Sequence, residues 1–128
     1  MENEILKLIK NDRFAEYNGI ELIKAEPGYA VTQMEIKDKH LNGVNIVQGG
    51  AIFTLADYAF AAASNLKGSV TLGINANISY FKPPKGKILT AEATEISSSR
   101  KICTYNVDIY DENRDLIARF TGMGYMKG

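Results

Sequence analysis

A lone carboxylate in an apolar segment is the first group that could do chemistry. Asp57 lies in the run from Ala51 to Ala63, with no Lys or Arg three or four residues away on either side. An unpaired charge held away from water is expensive, so such a carboxylate either lies at an edge of the fold or is retained for use. The helix pattern alone leaves both interpretations open. As a functional group, it would act as a general base or a nucleophile.

A pair of glycines stands at the start of the same run. Gln48-Gly49-Gly50 contains no Ser, Thr, Asp or Asn, the usual residues of a helix N-cap. The first N–H groups of a helix lack internal acceptors and carry partial positive charge, which suits them to polarise a carbonyl and stabilise an oxyanion. Two glycines would let a ligand approach this backbone closely, although a Gly-Gly pair can also serve only a tight turn. We therefore expect an uncapped helix start here.

The spacing of the two features has a consequence for assembly. Asp57 follows Gly49 by eight residues, which is about 12 Å along one helix. One carbonyl cannot touch both groups in the same chain, whereas two such helices packed antiparallel would bring them together. If the two groups act on one substrate, the site spans a two-fold dimer interface and each dimer has two sites.

Hydrophobic periodicity predicts the elements that position these groups. Val70 to Tyr80 alternates apolar and polar residues, which is typical of a strand, and the alanine-rich run after Gly49 is typical of a helix. That helix is apolar nearly all round, so strands should enclose it. The prediction is an α+β hot-dog fold, an antiparallel β-sheet wrapped around one long central helix, with residues 1–128 as one domain. The other predicted strands are 20–26, 29–37, 87–96, 102–110 and 116–126.

The composition excludes several classes of function. Fifteen Lys and Arg balance fifteen Asp and Glu, so the basic excess typical of a nucleic-acid binder is absent. One Cys and one His exclude a disulfide framework, a Cys-based zinc cluster and a multi-histidine metal site, and we expect no metal. The N-terminal sequence has no features of a secretory signal, and the most apolar stretch is too short to cross a bilayer. We therefore expect a cytoplasmic protein with no membrane or nucleic-acid partner.

Several segments together resemble a known family. His40-Leu41-Asn42-Gly43, Gln48 to Asp57, Ala63-Ser64-Asn65 and Asn77 to Pro83 resemble the signature of hot-dog acyl-CoA thioesterases, in particular the phenylacetate-degradation type of the hydroxybenzoyl-CoA thioesterase superfamily. The resemblance implies a homodimer, often paired into a tetramer, that acts on a small-molecule acyl-CoA. Coenzyme A then enters as part of the substrate, and no separate cofactor is needed.

The resemblance also implies roles for individual residues. Asp57 would be the general base or nucleophile, and the Gly49 amide, beside Gly50, would donate to the thioester carbonyl from the other subunit. Asn42 would help to place the attacking water or the carbonyl. The family usually has His where this chain has Gln48, and a Gln amide donates hydrogen bonds but carries no proton at neutral pH.

Other candidates concern substrate binding. Some relatives place a hydroxyl-bearing residue near the nucleophile, at the position aligned with Gly73. The polar face of the strand from Val70 to Tyr80 is either a subunit interface, a channel for the pantetheine arm or a solvated surface. Five basic residues are candidates for the phosphates of coenzyme A, although most such charges are simply solvated: Lys82, Lys85, Lys87, Arg100 and Lys101.

The sequence thus favours an acyl-CoA thioesterase that hydrolyses a small acyl or aroyl thioester, with coenzyme A or acyl carrier protein as the carrier. Hydrolysis needs an activated water and a stabilised oxyanion, while the thiolate leaving group needs little acid assistance. One alternative is a non-catalytic acyl-CoA-binding module, motivated only by Gln48. Another is a hot-dog dehydratase or hydratase, whose His would have to be His40. We expect His40 to be a surface loop residue and Cys103 a small buried hydrophobe.

Overall fold

Three α-helices and six strands make up residues 4–127, the part of the chain that the computed structural model describes. The helices are α1 (Glu4–Lys10), α2 (Arg13–Tyr17) and α3 (Gly49–Asn65), and a 3₁₀ turn covers Asp38–His40. The predicted strands are confirmed with boundary shifts of at most two residues. They are β1 (Ile20–Glu26), β2 (Tyr29–Glu35), β3 (Val70–Tyr80), β4 (Ile88–Ser98), β5 (Ile102–Tyr110) and β6 (Leu116–Lys127).

The six strands form one antiparallel sheet in the order β1-β2-β4-β5-β6-β3. β3 therefore lies at the edge beside β6, although it directly follows α3 in the chain. All six strands contact α3, so the sheet wraps around the helix. The predicted α+β hot-dog architecture is confirmed.

Small residues on α3 allow the sheet to approach it closely. Ala56, Ala59 and Ala62 are fully buried, and the ring of Phe60 fills the space beyond them. Phe60 packs edge-on against Tyr105, with ring centroids 5.5 Å apart. Burial of such a large apolar side chain stabilises the fold by roughly 1.5–3 kcal/mol. Cys103 is buried in the same core, as predicted.

The two edges of the sheet differ in chemistry. β1 carries charged residues and a bulge between Leu22 and Lys24, which are features that discourage pairing with another strand. β3 has eleven residues without a charge or a proline, and Leu72 and Ile74 are among its exposed side chains. An uncharged and exposed edge of this length is a template for a further strand.

His40 anchors the loop before α3, and the prediction of a surface position for it is wrong. The side chain is 2% exposed. Its Nδ1 accepts a hydrogen bond from the Lys37 N–H at 2.9 Å, so Nε2 carries the proton and donates to the Asn18 carbonyl at 3.0 Å. The imidazole thereby joins the end of α2 to the turn that leads into α3.

Candidate active site

Asp57 faces a cavity between α3 and β3. The cavity has a volume of about 440 Å³, and Ser64, Thr71 and Gly73 also line it. The Asp57 side chain is exposed in the single chain, and no group among residues 4–127 donates a hydrogen bond to its carboxyl or forms an ion pair with it. Although part of the side chain reaches solvent, the protein atoms packed around the carboxyl desolvate it and raise its pKa, and the negative charge of Asp12 raises that pKa further. An unpartnered carboxylate with a raised pKa is suited to accept a proton.

A bulge in β3 lies beside Asp57. The register between β3 and β6 shifts between Gly73 and Asn75, which leaves Ile74 as the extra residue. Bulges redirect side chains, and here both Gly73 and Asn75 line the cavity of Asp57. Gly73, a substrate-binding candidate from the resemblance, thus lines the same cavity as Asp57. Asn75 also lines this cavity. From the sequence it could be assigned only to the polar face of β3, because the alternation of apolar and polar residues continues through Ile74 and gives no sign of the bulge.

The start of α3 is capped, which corrects the expectation of an uncapped helix. Gln48 is the N-cap, and its side-chain oxygen accepts a hydrogen bond from the Gly50 N–H. The Gln48 carbonyl accepts from the Ala51 and Ile52 N–H groups at 2.9 and 3.4 Å. Of the first four N–H groups of the helix, only that of Gly49 has no acceptor among the described residues. The Gly49 N–H, which is the group predicted to donate to the thioester carbonyl, is therefore the one amide of the first turn that remains available to a ligand.

Tyr80 packs directly over that glycine. The phenol donates a hydrogen bond to the Gly49 carbonyl at 2.9 Å. A Cβ on Gly49 would lie 3.0 Å from the Tyr80 ring and hydroxyl, closer than nine in ten real Cβ contacts. Glycine at position 49 is thus explained within the chain by the end of β3. No pattern in the sequence predicts this contact, because 31 residues separate the two.

The Asn42 side chain is held in one orientation. Its Oδ1 accepts hydrogen bonds from the N–H groups of Val44 at 2.9 Å and Ile46 at 3.1 Å, which shapes the exposed turn before α3. Its Nδ2 has no acceptor among the described residues. Asn42 can therefore donate a hydrogen bond to a ligand, whereas its oxygen is already occupied.

Within one chain, Asp57 and the Gly49 amide are not brought together. They lie about 12 Å apart along α3, and they line different cavities, since Gly49 borders a cavity of about 540 Å³ at the start of the helix. Lys82 lines that second cavity and forms an ion pair with Asp115 at 3.3 Å.

Arg100 and Lys101 lie away from the start of α3. They occupy the turn between β4 and β5, next to Met126, whose N–H donates to the Lys101 carbonyl at 2.7 Å. Met126 pairs with Thr71, so this turn is near the first residues of β3, whereas Tyr80 ends that strand. The Lys101 ammonium lies 5.8 Å from the centroid of the Tyr125 ring. Of the five basic candidates, only Lys82 lines the cavity that Gly49 borders.

Three features are absent from residues 4–127: a metal-binding cluster, a histidine with a free ring nitrogen and a membrane-spanning helix. No cluster of three or more His, Cys, Asp or Glu is placed there to hold a metal ion. Both nitrogens of His40 are engaged in hydrogen bonds, so the imidazole has no free nitrogen to act as an acid or base. No helix in this part of the chain is long and apolar enough to cross a membrane.

Comparison with known proteins gives a consistent set of similarities. Residues 44–118 match the thioesterase superfamily. The acyl-coenzyme A thioesterase PaaI of Escherichia coli K12 is 31% identical over 122 residues, which are 94% of this chain and 87% of that protein. The structure of the E. coli PaaI protein from the phenylacetic acid degradation operon is similar with a TM-score of 0.90 at 30% identity, covering 95% of this chain and 89% of that one.

Two further structures extend the comparison. A mutant of the phenylacetic acid degradation protein PaaI from Thermus thermophilus is 35% identical, with a TM-score of 0.85 over 89% of this chain and 98% of that one. A hypothetical thioesterase from Streptococcus pneumoniae TIGR4, solved with coenzyme A, has a TM-score of 0.88 over 96% of this chain and 97% of that one. At 22% identity, the latter shows a common fold.

Proposed function

The chain belongs to the thioesterase superfamily and is a thioester hydrolase, and we propose that it cleaves small acyl- or aroyl-coenzyme A thioesters to the free acid and coenzyme A. The observation that carries this proposal is the unpartnered Gly49 N–H at the start of α3. The names of the relatives support a coenzyme A thioester as the substrate. No metal or further cofactor takes part in this proposal.

In the proposed reaction, the thioester carbonyl accepts a hydrogen bond from the Gly49 N–H. The partial positive charge of the helix start then stabilises the oxyanion that develops when the carbonyl is attacked. Asp57 of the partner subunit either removes a proton from the attacking water, or attacks the carbonyl itself to form a mixed anhydride that water then hydrolyses to the free acid and Asp57. The carbon–sulfur bond breaks, and coenzyme A leaves as a thiolate, which needs little protonation.

The free edge of β3 supports a dimer that would unite these groups. If β3 pairs with the β3 of a second copy across a two-fold axis, the cavity that contains Asp57 borders the same interface, because β3 lines it. Each α3 can then present its amide to the carboxylate of the other chain. The dimer would contain two such sites.

Asn42 and Gln48 take distinct roles in this proposal. Asn42 donates from Nδ2, to the thioester carbonyl or to the oxygen of the attacking water, because its Oδ1 is already bonded. Gln48 acts on the backbone: by capping Gly50 it leaves Gly49 as the donor. A proton-carrying His is therefore not required at position 48. The engaged nitrogens of His40 argue against the dehydratase or hydratase alternative.

The test removes the Gly49 N–H while keeping the helix. Gly49→Pro deletes only that donor from the backbone, because the first helical position tolerates proline and Gln48 already has the extended conformation that a following proline needs. Gly49→Ala is the matched control, since it adds a Cβ against Tyr80 and keeps the N–H. We expect Gly49→Pro to lower kcat by roughly 10²–10³ relative to Gly49→Ala, with thiol release from acyl-CoA as the assay.

The same assay separates the alternatives. Equal rates in the two variants would remove the amide from the mechanism. If the wild-type protein binds acyl-CoA thioesters over a broad panel but releases no thiol, the binding-module alternative holds instead.

A mixed-dimer experiment tests whether the site spans two subunits. Asp57→Ala is expected to abolish turnover while leaving folding and assembly intact, because its carboxyl has no partner among the described residues. A heterodimer of Asp57→Ala and Gly49→Pro chains contains one doubly defective site and one intact site. Random mixing of the two inactive variants should therefore restore about a quarter of wild-type activity. No restoration, with heterodimers shown to form, would place both groups in one subunit.

A further inference from the structure

Two cavities lie at the start of α3, and one side chain lines both. The larger has a volume of about 720 Å³ and is lined by Gln48 and Gly50. The smaller, of about 540 Å³, is the one bordered by Gly49. Within residues 4–127, Tyr80 alone lines both. Gly49, whose amide is proposed to hold the thioester carbonyl, borders the smaller cavity and packs against the Tyr80 ring that lines both.

We propose that Tyr80 is a specificity-determining residue, whose ring is the partition between an acyl cavity and a pantetheine cavity and limits the size of the acyl group. This inference rests on the proposed function. A thioester bound at Gly49 extends in two directions from its carbonyl carbon, one along the acyl group and one through the sulfur. The two cavities provide one space for each.

The linings indicate which space serves which arm. The smaller cavity has a mainly aliphatic and aromatic lining that suits an acyl group: Ile46, Val47, Ile52 and Phe81. Its one charged lining residue among residues 4–127, Lys82, forms an ion pair with Asp115. The larger cavity is lined in part by Asn18, Lys39 and Gln48. The side-chain N–H of Gln48 has no acceptor among the described residues and suits an amide of the pantetheine arm. We therefore assign the acyl group to the smaller cavity.

The Tyr80 ring is held in place rather than free to swing aside. Its hydroxyl donates to the Gly49 carbonyl at 2.9 Å, and the ring packs against the Gly49 backbone so closely that no Cβ fits there without a shift. A phenylalanine at this position would lose the hydrogen bond but keep the ring packed against Gly49, whereas a smaller side chain would join the two cavities. Size and hydrogen bonding can thus be tested by separate substitutions.

The experiment compares Tyr80→Ala and Tyr80→Phe with the wild-type protein on straight-chain acyl-CoA substrates of increasing length. Tyr80→Ala should raise the ratio of kcat/KM for long over short chains by roughly tenfold or more, because the partition is removed. Tyr80→Phe keeps the ring and should keep the wild-type preference. Ile46→Phe narrows the smaller cavity without changing Tyr80, so it should shift the preference toward shorter chains.

Tyr125→Ala is the matched control, since it removes another exposed tyrosine that lines neither cavity. An unchanged chain-length preference in Tyr80→Ala, with wild-type activity present, would overturn the partition. An unchanged preference in Ile46→Phe would overturn the assignment of the acyl group to the smaller cavity.

Binding measurements keep this inference separate from the proposed function. Non-hydrolysable S-alkyl coenzyme A thioethers of the same lengths report the partition without turnover. If the wild-type protein releases no thiol but Tyr80→Ala still gains affinity for the longer thioethers, the proposed hydrolysis fails and the partition holds. If the wild-type protein neither binds the thioethers nor turns over the thioesters, both fail. Circular dichroism and size-exclusion chromatography check that each variant is folded.

Discussion

The carbonyl of His40 accepts a hydrogen bond from the Gln48 N–H at 2.7 Å, which ties a buried imidazole to the residue that caps α3. The imidazole is itself held between Lys37 and Asn18, and Gln48 in turn holds Gly50. The direction of the Gly49 amide therefore depends on a short series of bonds that begins in the 3₁₀ turn. Each step of that series can be tested.

Acid is expected to destabilise the protein through His40. Burial lowers the pKa of His40 from the ordinary value of 6.5, and its Nδ1 must stay unprotonated to accept from the Lys37 N–H. The stability that the neutral ring contributes is complete above pH 6.5 and is lost as pH falls from there toward the lowered pKa, because the unfolded chain binds the proton first.

We expect the free energy of unfolding, measured in urea from about pH 7.5 to about pH 5, to fall more steeply in the wild-type protein than in His40→Gln. The Gln variant can keep a donor to Asn18 but does not titrate. Parallel pH profiles would remove His40 as the cause.

Asp12 is expected to shift the pH dependence of turnover. Its negative charge is one cause of the raised pKa of Asp57, after burial. Because Asp57 must be ionised to act, kcat/KM should fall as pH drops through that pKa. Asp12→Asn keeps the cap on the Ala15 N–H but removes the charge, so the acid limb of the kcat/KM profile should move to lower pH. Asp38→Asn removes a carboxylate that does not affect Asp57 and should leave the profile unchanged. If the acid limb of the kcat/KM profile in Asp12→Asn keeps its wild-type position or moves to higher pH, the charge of Asp12 does not raise the pKa of Asp57.

Charge at position 48 should separate stability from catalysis. Gln48→Ala removes the cap and should lower the free energy of unfolding by about 1 kcal/mol. Gln48→Glu keeps an acceptor for Gly50 and adds a negative charge at the helix start, which is favourable by about 0.3–1 kcal/mol. The same charge opposes an oxyanion beside Gly49, so kcat should fall in the Glu variant although it is the more stable of the two. The free energy of unfolding and kcat, both measured for the two variants, test this prediction. A wild-type kcat in Gln48→Glu would argue that no oxyanion forms beside Gly49.

The free edge of β3 should determine assembly. Leu72 on β3 and Ile23 on β1 are matched edge residues, 50% and 52% exposed. A lysine discourages strand pairing, so Leu72→Lys should convert dimers to monomers and abolish turnover, whereas Ile23→Lys should do neither. Sedimentation velocity and the thiol-release assay measure the two effects. Dissociation caused by Ile23→Lys alone would place the interface at the other edge.

Local pattern was enough to predict much of the molecule. The period of two in β3 and the alanine-rich apolar run of α3 reflect local backbone geometry, so element types and most boundaries could be predicted, and the wrapped sheet followed from a helix that is apolar nearly all round. The chemical candidates could be predicted too, because Gln48-Gly49-Gly50 and Asp57 are close in sequence and lie on one element. Their eight-residue spacing already indicated that one carbonyl cannot touch both groups within a single chain, so joint action would require two subunits.

Tertiary structure decided which groups are free to act. His40 is buried with its Nε2–H donating a hydrogen bond to the carbonyl of Asn18, 22 residues away, and Tyr80 covers Gly49 from the far end of β3. The bulge that brings Asn75 to Asp57 arises from the pairing of β3 with β6, and the open edge follows from the strand order. These are relations between distant segments, fixed only when the sheet closes around the helix. Periodicity along the chain does not encode them, because each hydrogen bond depends on where its partner is carried by the rest of the fold.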